Sequence, residues 1–219
     1  MKVKLVSHSQ APDFNESALD LVAYCARVSN PSNQNNKETN EKLVKYLMRH
    51  KHWSPLEMVS VCLEVETTRD IARQLLRHRS FSFQEFSQRY ADPLKDLEMV
   101  PREARFQDPK NRQNSIPIDQ DDEPQRRINE DFRMKQMKLI HESKKVYNWA
   151  IDNGIAKEQA RAVLPEGNTV SRLYVNGTLR SWIHYIELRS ANGTQLEHID
   201  LAIEVGRVIA KIFPMTPQD

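Results

Sequence analysis

With 219 residues, of which 39% are hydrophobic and 28% charged, the chain carries enough apolar material for one sizeable core and is not disordered. Its formal net charge of +2 excludes a global field that recruits nucleic acid, so any anion must be held locally. Two cysteines, Cys25 and Cys62, are too few for a disulfide framework, and the five glycines form no Rossmann or P-loop phosphate cradle.

The opening "MKVKLVSHSQ" alternates charged and apolar residues, which predicts a strand through Val3 and Leu5 and no signal sequence. No run reaches transmembrane length, so a soluble protein of the reducing cytoplasm is expected, without membrane contact. A helix follows, capped by Asn15, with Ala18, Leu21, Val22, Cys25 and Val28 on its apolar stripe. After the loop "NPSNQNN", a second helix carries Leu43, Val44, Leu47 and Met48. "HWSPLE" interrupts at Pro55, and Val59, Val61, Leu63 and Val65 then share one face of a strand. "TTRDIARQLLRH" reads as a capped helix with Arg69, Arg73 and Arg77 on one face at spacing four.

Residues 92–127 are polar and broken by five prolines, which predicts a long excursion with one short strand. A long helix is expected from about Asn129 to Asn153, closed by Gly154, then a short helix stopped by Pro165. "TVSRLYV" predicts a strand that "NGT" turns into the helix "TLRSWIHYIELR". The last helix opens on a capping box from Thr194 to Glu197 and carries Leu196, Ile199, Ala202, Val205 and Ile209. The expected fold is mixed α/β of the α+β kind, a single domain over 1–219 in which long helices pack a β-sheet.

The stretch "RHRSFSFQEFSQRY", residues 77–90, sets three cationic or cationisable side chains beside alternating phenylalanines and serines. Such a stretch suits an anionic, flat-ringed ligand. Ser87 and Arg89, two residues apart, can grip one phosphate, although an ordinary polar loop looks the same. Arg161 lies among Ala160, Val163 and Leu164, which predicts burial, and Arg189 ends an amphipathic helix, where a cation also suits the dipole. His78, between two arginines, is expected to stay neutral. "HKH" at 50–52 lacks a carboxylate or cysteine at ligand spacing, so no metal is expected. Neither cysteine has an electropositive setting, and both read as structural.

The pattern Arg77-His78-Arg79, seven residues, then Ser87 resembles the signature of the flavin-dependent thymidylate synthases. "YCARVS", "HWSPLE", "RQLLRHR", "ARAVLP" and "TLRSWIHYIELR" extend the resemblance in order along nearly the whole chain. It implies a homotetramer with FAD sites at subunit interfaces, dUMP bound beside FAD, NADPH as reductant and methylenetetrahydrofolate as one-carbon donor. It implies FAD contacts at Ser54, Glu57, His78, Arg79, Ser80, Glu85, Thr178, Arg180 and His184. The implied dUMP site is Gln74, Arg77, Glu85, Phe86, Ser87, Gln88, Arg89, Arg161 and Arg189, with His52 near the flavin and folate face. Arg189 matches the arginine that favours ionised uracil, so dUMP becomes dTMP without a cysteine nucleophile. Gln84 stands where many members have Asn, and Gly193 where many have a histidine.

Two other readings stay open. A single-stranded nucleic-acid binder would use Phe81, Phe83 and Phe86 as stacking platforms. A related flavin- and folate-dependent methyltransferase would act on another uracil substrate.

Overall fold

The computed structural model describes residues 1–12 and 17–214. Strand β1 (Lys2–His8) opens the chain. Helix α1 (Ala18–Ala26) is capped by Ser17, whose hydroxyl accepts from the Asp20 backbone N–H while Asp20 reaches back; Asn15, the expected cap, lies outside the described residues. Helix α2 (Asn40–Arg49) packs on α1. A 3-10 turn at Ser54–Met58 delivers the chain into β2 (Ser60–Thr68).

Helix α3 (Arg69–Leu75) is shorter than expected, and its Thr68 cap accepts no backbone N–H of the helix; the Thr68 hydroxyl donates to the Asp70 carboxylate instead, at 2.6 Å. Arg77 therefore stands beyond the helix end, off the face of Arg69 and Arg73. Strand β3 (Ser82–Glu85) and the short helix α4 (Pro93–Asp96) follow. The proline-rich excursion holds two strands, not one: β4 (Arg105–Gln107) and β5 (Ser115–Pro117) form a hairpin. Its loop is built on Asp108, whose carboxylate accepts from Asn114 Nδ2 and from the backbones of Lys110 and Asn111.

Helix α5 (Glu123–Asp152) runs 30 residues, about 45 Å. It begins well before Asn129, because Asp122 caps it and Pro124 sits in its first turn, where a missing N–H costs nothing. Pro124 starts this helix; it breaks nothing. At the other end Gly154, at φ +76, donates to Ile151 while Ile155 donates to Ala150, a Schellman closure. Helix α6 (Lys157–Ala160) leads to β6 (Val170–Thr178), then α7 (Leu179–Arg189) and α8 (Leu196–Ala210).

The main sheet is four-stranded and antiparallel in the order β1-β2-β6-β3. β2 and β6 pair over nine residues, from Ser60 opposite Thr178 to Thr68 opposite Val170. That register carries "NGT" inside the strand, so the expected turn is absent; Thr178 then caps α7 by accepting from the Ser181 N–H. Gly177 is required there, since a Cβ would stand 2.3 Å from the Phe81 ring. The capping box at Thr194 does not form either: Gln195 is the cap residue, and Glu197 is drawn to Arg105 at 2.7 Å.

The core lies where Val61, Leu63 and Val65 of β2 and Leu173 and Val175 of β6 meet Trp182, Leu201, Val205 and Ile209, all buried. Each such aliphatic side chain contributes about 1.5–3 kcal/mol by leaving water. Leu196 and Ile199 lie off the buried stripe of α8, and His198 lies on it. No helix among the described residues is long and apolar enough to cross a membrane.

Candidate functional site

The signature segment is anchored by its phenylalanines. Phe81 is buried with its ring 4.4 Å from Trp182 and edge-on to Tyr185, and Phe83 packs beside it. Strand alternation turns Ser82 and Gln84 outward while Phe83 faces the core. Pairing of β3 with β6, extended by the Phe86 N–H to Arg172 C=O bond, fixes the segment's register. These rings are therefore core, not stacking platforms. Arg77, Arg79 and Ser80 are exposed.

His78 is half-buried, its ring edge-on to Tyr185 at 5.1 Å. Its Nε2 accepts from Arg189 Nε at 2.9 Å, across 111 residues of chain. Burial first, and the Arg189 charge second, hold the imidazole below its ordinary pKa. The expected neutrality stands, but the pressing arginine is Arg189 and not its sequence neighbours. Arg189 thus keeps a neutral partner, and no carboxylate among the described residues pairs with it.

Gln74, on α3, lies half-buried between Gln195 (2.9 Å) and His198 (3.1 Å). Glu85 accepts from Ser171 at 2.8 Å and from Arg69 at 3.4 Å. Gln88 is buried, and its Nε2 has no hydrogen-bond partner among the described residues. Ser87 heads a tight turn, its carbonyl accepting from Tyr90 and Ala91. Arg89 pairs with Glu158 at 3.1 Å, and Arg161 donates to the Glu158 carbonyl, so these two arginines meet at α6. Arg161 is only half-buried and Val163 is exposed, against the expected burial, because this 3-10 turn runs along the surface.

Of the residues matched to FAD, Ser54, Glu57, Thr178, Arg180 and His184 gather along α7 and the turn before β2, whereas Glu85 stands at the far end of β3, opposite Leu173. Glu57 and Arg180 pair at 2.5 Å, Ser181 donates to the Ser80 carbonyl, and His184 sits edge-on to Trp53 at 4.6 Å. Ser54 is exposed in the 3-10 turn and Thr178 caps α7. His52 is exposed just before that turn, its N–H bonded to the Leu47 carbonyl. Gly193 occupies a left-handed turn at φ +88, a conformation that disfavours a histidine there.

Among the described residues no three His, Cys, Asp or Glu side chains are gathered to hold a metal. A cavity of about 540 Å³ lies elsewhere, lined by Glu66, Arg102, Arg105 and Glu197 among others, and none of the signature residues lines it. Glu158, Tyr185, Gln195 and His198 were not singled out from sequence. Only His198 left a signal there: a polar residue in step with the buried positions Leu201, Ala202 and Val205.

An antiparallel sheet packed by helices, exposed arginines on the segment that leads into its edge strand and an arginine backed by a neutral histidine define the class of protein to compare. The sequence pattern of the family described as "Thymidylate synthase complementing protein" matches residues 4–215. The "Probable flavin-dependent thymidylate synthase" of Paramecium bursaria Chlorella virus 1 is 49% identical over 216 residues, covering 98% of this chain and 96% of that one. The "Flavin-dependent thymidylate synthase" of Synechocystis is 48% identical over 194 residues, covering 89% and 85%. In structure, the UMP/dUMP methylase PolB from Streptomyces cacaoi, bound with 5-Br dUMP, superposes with a TM-score of 0.76 at 29% identity, covering 96% of this chain and 90% of that one. The chain belongs to the flavin-dependent thymidylate synthase family.

Proposed function

We propose that the chain acts as one synthase domain that reductively methylates dUMP to dTMP, with methylenetetrahydrofolate as one-carbon donor and NADPH as reductant. The observation that carries the reading is the Arg189–His78 hydrogen bond at 2.9 Å. It joins the signature segment to the residue assigned the activation of uracil. A carboxylate in the place of His78 would cancel the guanidinium; a neutral imidazole orients it and leaves its charge for the developing negative charge on the ring.

The donor set fits an anionic nucleotide and a dinucleotide. Arg77 and Arg79 are exposed and make no ion pair among the described residues, and the Gln88 amide has an unspent, buried donor. Gln74, Arg77, Glu85, Phe86, Ser87, Gln88, Arg89, Arg161 and Arg189 would hold dUMP. Ser54, Glu57, His78, Arg79, Ser80, Glu85, Thr178, Arg180 and His184 would hold FAD, with His52 toward the folate. When bound, FAD supplies the reducing equivalents for the methyl group. Ser54, Glu57, Arg79 and Ser80 are exposed on a single chain, which supports sites completed by other copies in a homotetramer. The outer face of α5 supports this too, exposing Phe132, Met134, Met137, Leu139 and Trp149.

A second reading, methylation of UMP, is favoured by the same Streptomyces methylase, which was also solved with 5-Br UMP. Purified protein should take up FAD, change its flavin spectrum on adding dUMP, sediment as a tetramer and convert dUMP while leaving UMP untouched. Equal conversion of UMP would move the conclusion to the second reading. A colourless monomer indifferent to FAD would remove both.

A further inference from the structure

Behind the Arg189–His78 pair runs a row of uncharged polar side chains, of which Tyr185 and His198 have no role so far. Tyr185 of α7 and His198 of α8 are both fully buried, and their hydroxyl and Nε2 atoms lie 3.1 Å apart. His198 Nδ1 lies 3.1 Å from Gln74 Oε1, and Gln74 Nε2 lies 2.9 Å from Gln195 Oε1. The row thus connects three helices, and Tyr185 stands edge-on to His78.

The direction of these bonds follows from what is buried. The Tyr185 hydroxyl has His198 Nε2 as its one hydrogen-bond partner among the described residues. If the hydroxyl accepted, its own hydrogen would be sealed in the core without an acceptor, which is costly. Tyr185 therefore donates, and His198 Nε2 accepts. A neutral imidazole then carries its proton on Nδ1 and donates to Gln74 Oε1. The Gln74 amide nitrogen donates onward to Gln195. Burial first, then the Arg189 charge and the neighbouring His78 ring, push His198 down to about 4, so protonation does not scramble the order near neutrality. One amide hydrogen and one carbonyl lone pair of Gln74 remain uncommitted, in fixed places.

We propose that Tyr185 and His198 are positioning residues that lock the Gln74 amide in one orientation and so set the affinity for the uracil nucleotide. This rests on the assignment of Gln74 to the dUMP site. Neither residue touches the nucleotide; both act through Gln74.

The test combines a spectroscopic and a binding readout on the full chain. With isotope-labelled histidine, NMR shifts of the two ring nitrogens should place the His198 proton on Nδ1 in the wild type. Tyr185→Phe keeps the ring against His78 and removes one hydroxyl. It should mix the tautomers and weaken dUMP binding by about five-fold, the scale of one neutral hydrogen bond, while turnover at saturating dUMP changes by less than about two-fold. His198→Asn places an amide N–H near the Nδ1 position and should keep binding near the wild-type level, whereas His198→Phe should weaken it. A wild-type proton on Nε2 overturns the proposal even if no variant folds. A protein that binds no dUMP removes the proposed function and this inference with it. One that binds dUMP equally well in all three variants removes this inference alone.

Discussion

Two sets of arginines divide the molecule. Behind the sheet edge, Arg102 meets Asp70 at 2.6 Å, Arg105 grips Glu197 with bonds of 2.7 and 2.9 Å, and Arg172 meets Glu66 at 2.5 Å. On the signature face, Arg77 and Arg79 have no carboxylate among the described residues, and Arg189 has only a neutral imidazole. The first set is spent on the fold: Arg105 ties the β4–β5 hairpin to α8. The second is held ready for an anion. Between them stand Arg89 with Glu158 and Arg180 with Glu57, half-exposed pairs of the kind worth about 0–1 kcal/mol, which a bound phosphate can displace. Within the signature segment, what separates Arg77 and Arg79 from the structural arginines is that no internal counter-charge among the described residues holds them.

The sharpest way to break this division is Arg189→Ala. As a cation at a helix end it contributes about 0.3–1 kcal/mol, but as the uncancelled charge beside uracil its loss should cost on the order of 10²-fold in turnover. Steady-state dTMP formation, with circular dichroism to confirm the fold, decides it. Near-normal turnover leaves only the helix-end role.

The next comparison crosses the two sets. Arg77→Ala should weaken dUMP binding about ten-fold, more so at low salt, and leave the melting temperature nearly unchanged. Arg105→Ala should do the reverse, costing about 1–2 kcal/mol of stability through the stranded Glu197 and little affinity. Calorimetric titration and thermal melts of both variants read the pattern, and the same response from both would erase the distinction.

A smaller effect concerns pH. His198 is depressed from 6.5 to about 4, by burial first and then by Arg189 and His78; His78 is lowered in the same direction. The folded protein therefore resists protons that the unfolded chain takes up. The stability tied to these rings is complete above about pH 6.5 and drains as pH falls toward about 4. Melting temperatures over that window should fall less steeply in His198→Asn. Parallel slopes would mean that His198 takes up its proton freely in the folded state.

Much of this was readable from residue order. Alternation found β2 and most of β6, and helical spacing found α1, α2 and the bulk of α5. Local signals failed where tertiary pairing overrode them: "NGT" stays in β6 because β2 lies opposite, and Glu197 leaves its cap because Arg105 claims it. Pro124 was misread because a first-turn proline looks like a breaker in a proline-rich stretch. The signature was legible because its charges are adjacent. Which charges are cancelled was not, since Glu158 lies 69 residues from Arg89, Glu166 lies 93 from Arg73, and His78 lies 111 from Arg189. Tyr185 and His198 hid for the same reason, each looking like one polar residue on an amphipathic helix.

The smallest expected effect is at the cysteines, where the comparison predicts nothing. A thiol becomes a nucleophile when nearby positive charge lowers its pKa. Here burial pushes both Cys25 and Cys62 upward, with no opposing charge. Cys62 stands opposite Asn176 on the sheet face away from Val61 and Leu63, and Cys25 packs within α1; neither is near the unpaired arginines in sequence. The Cys25→Ala, Cys62→Ser double variant should therefore keep forming dTMP, with any small loss tracing to packing at Cys25. Ser87→Ala should weaken dUMP binding more than it slows turnover at saturating dUMP, as a ligand does and a nucleophile does not. Mass spectrometry of trapped complexes should find no uracil on Cys25, Cys62 or Ser87. A stable adduct on any of them would mean that the ring is activated by covalent attack, and that Arg189 does not act alone on its charge.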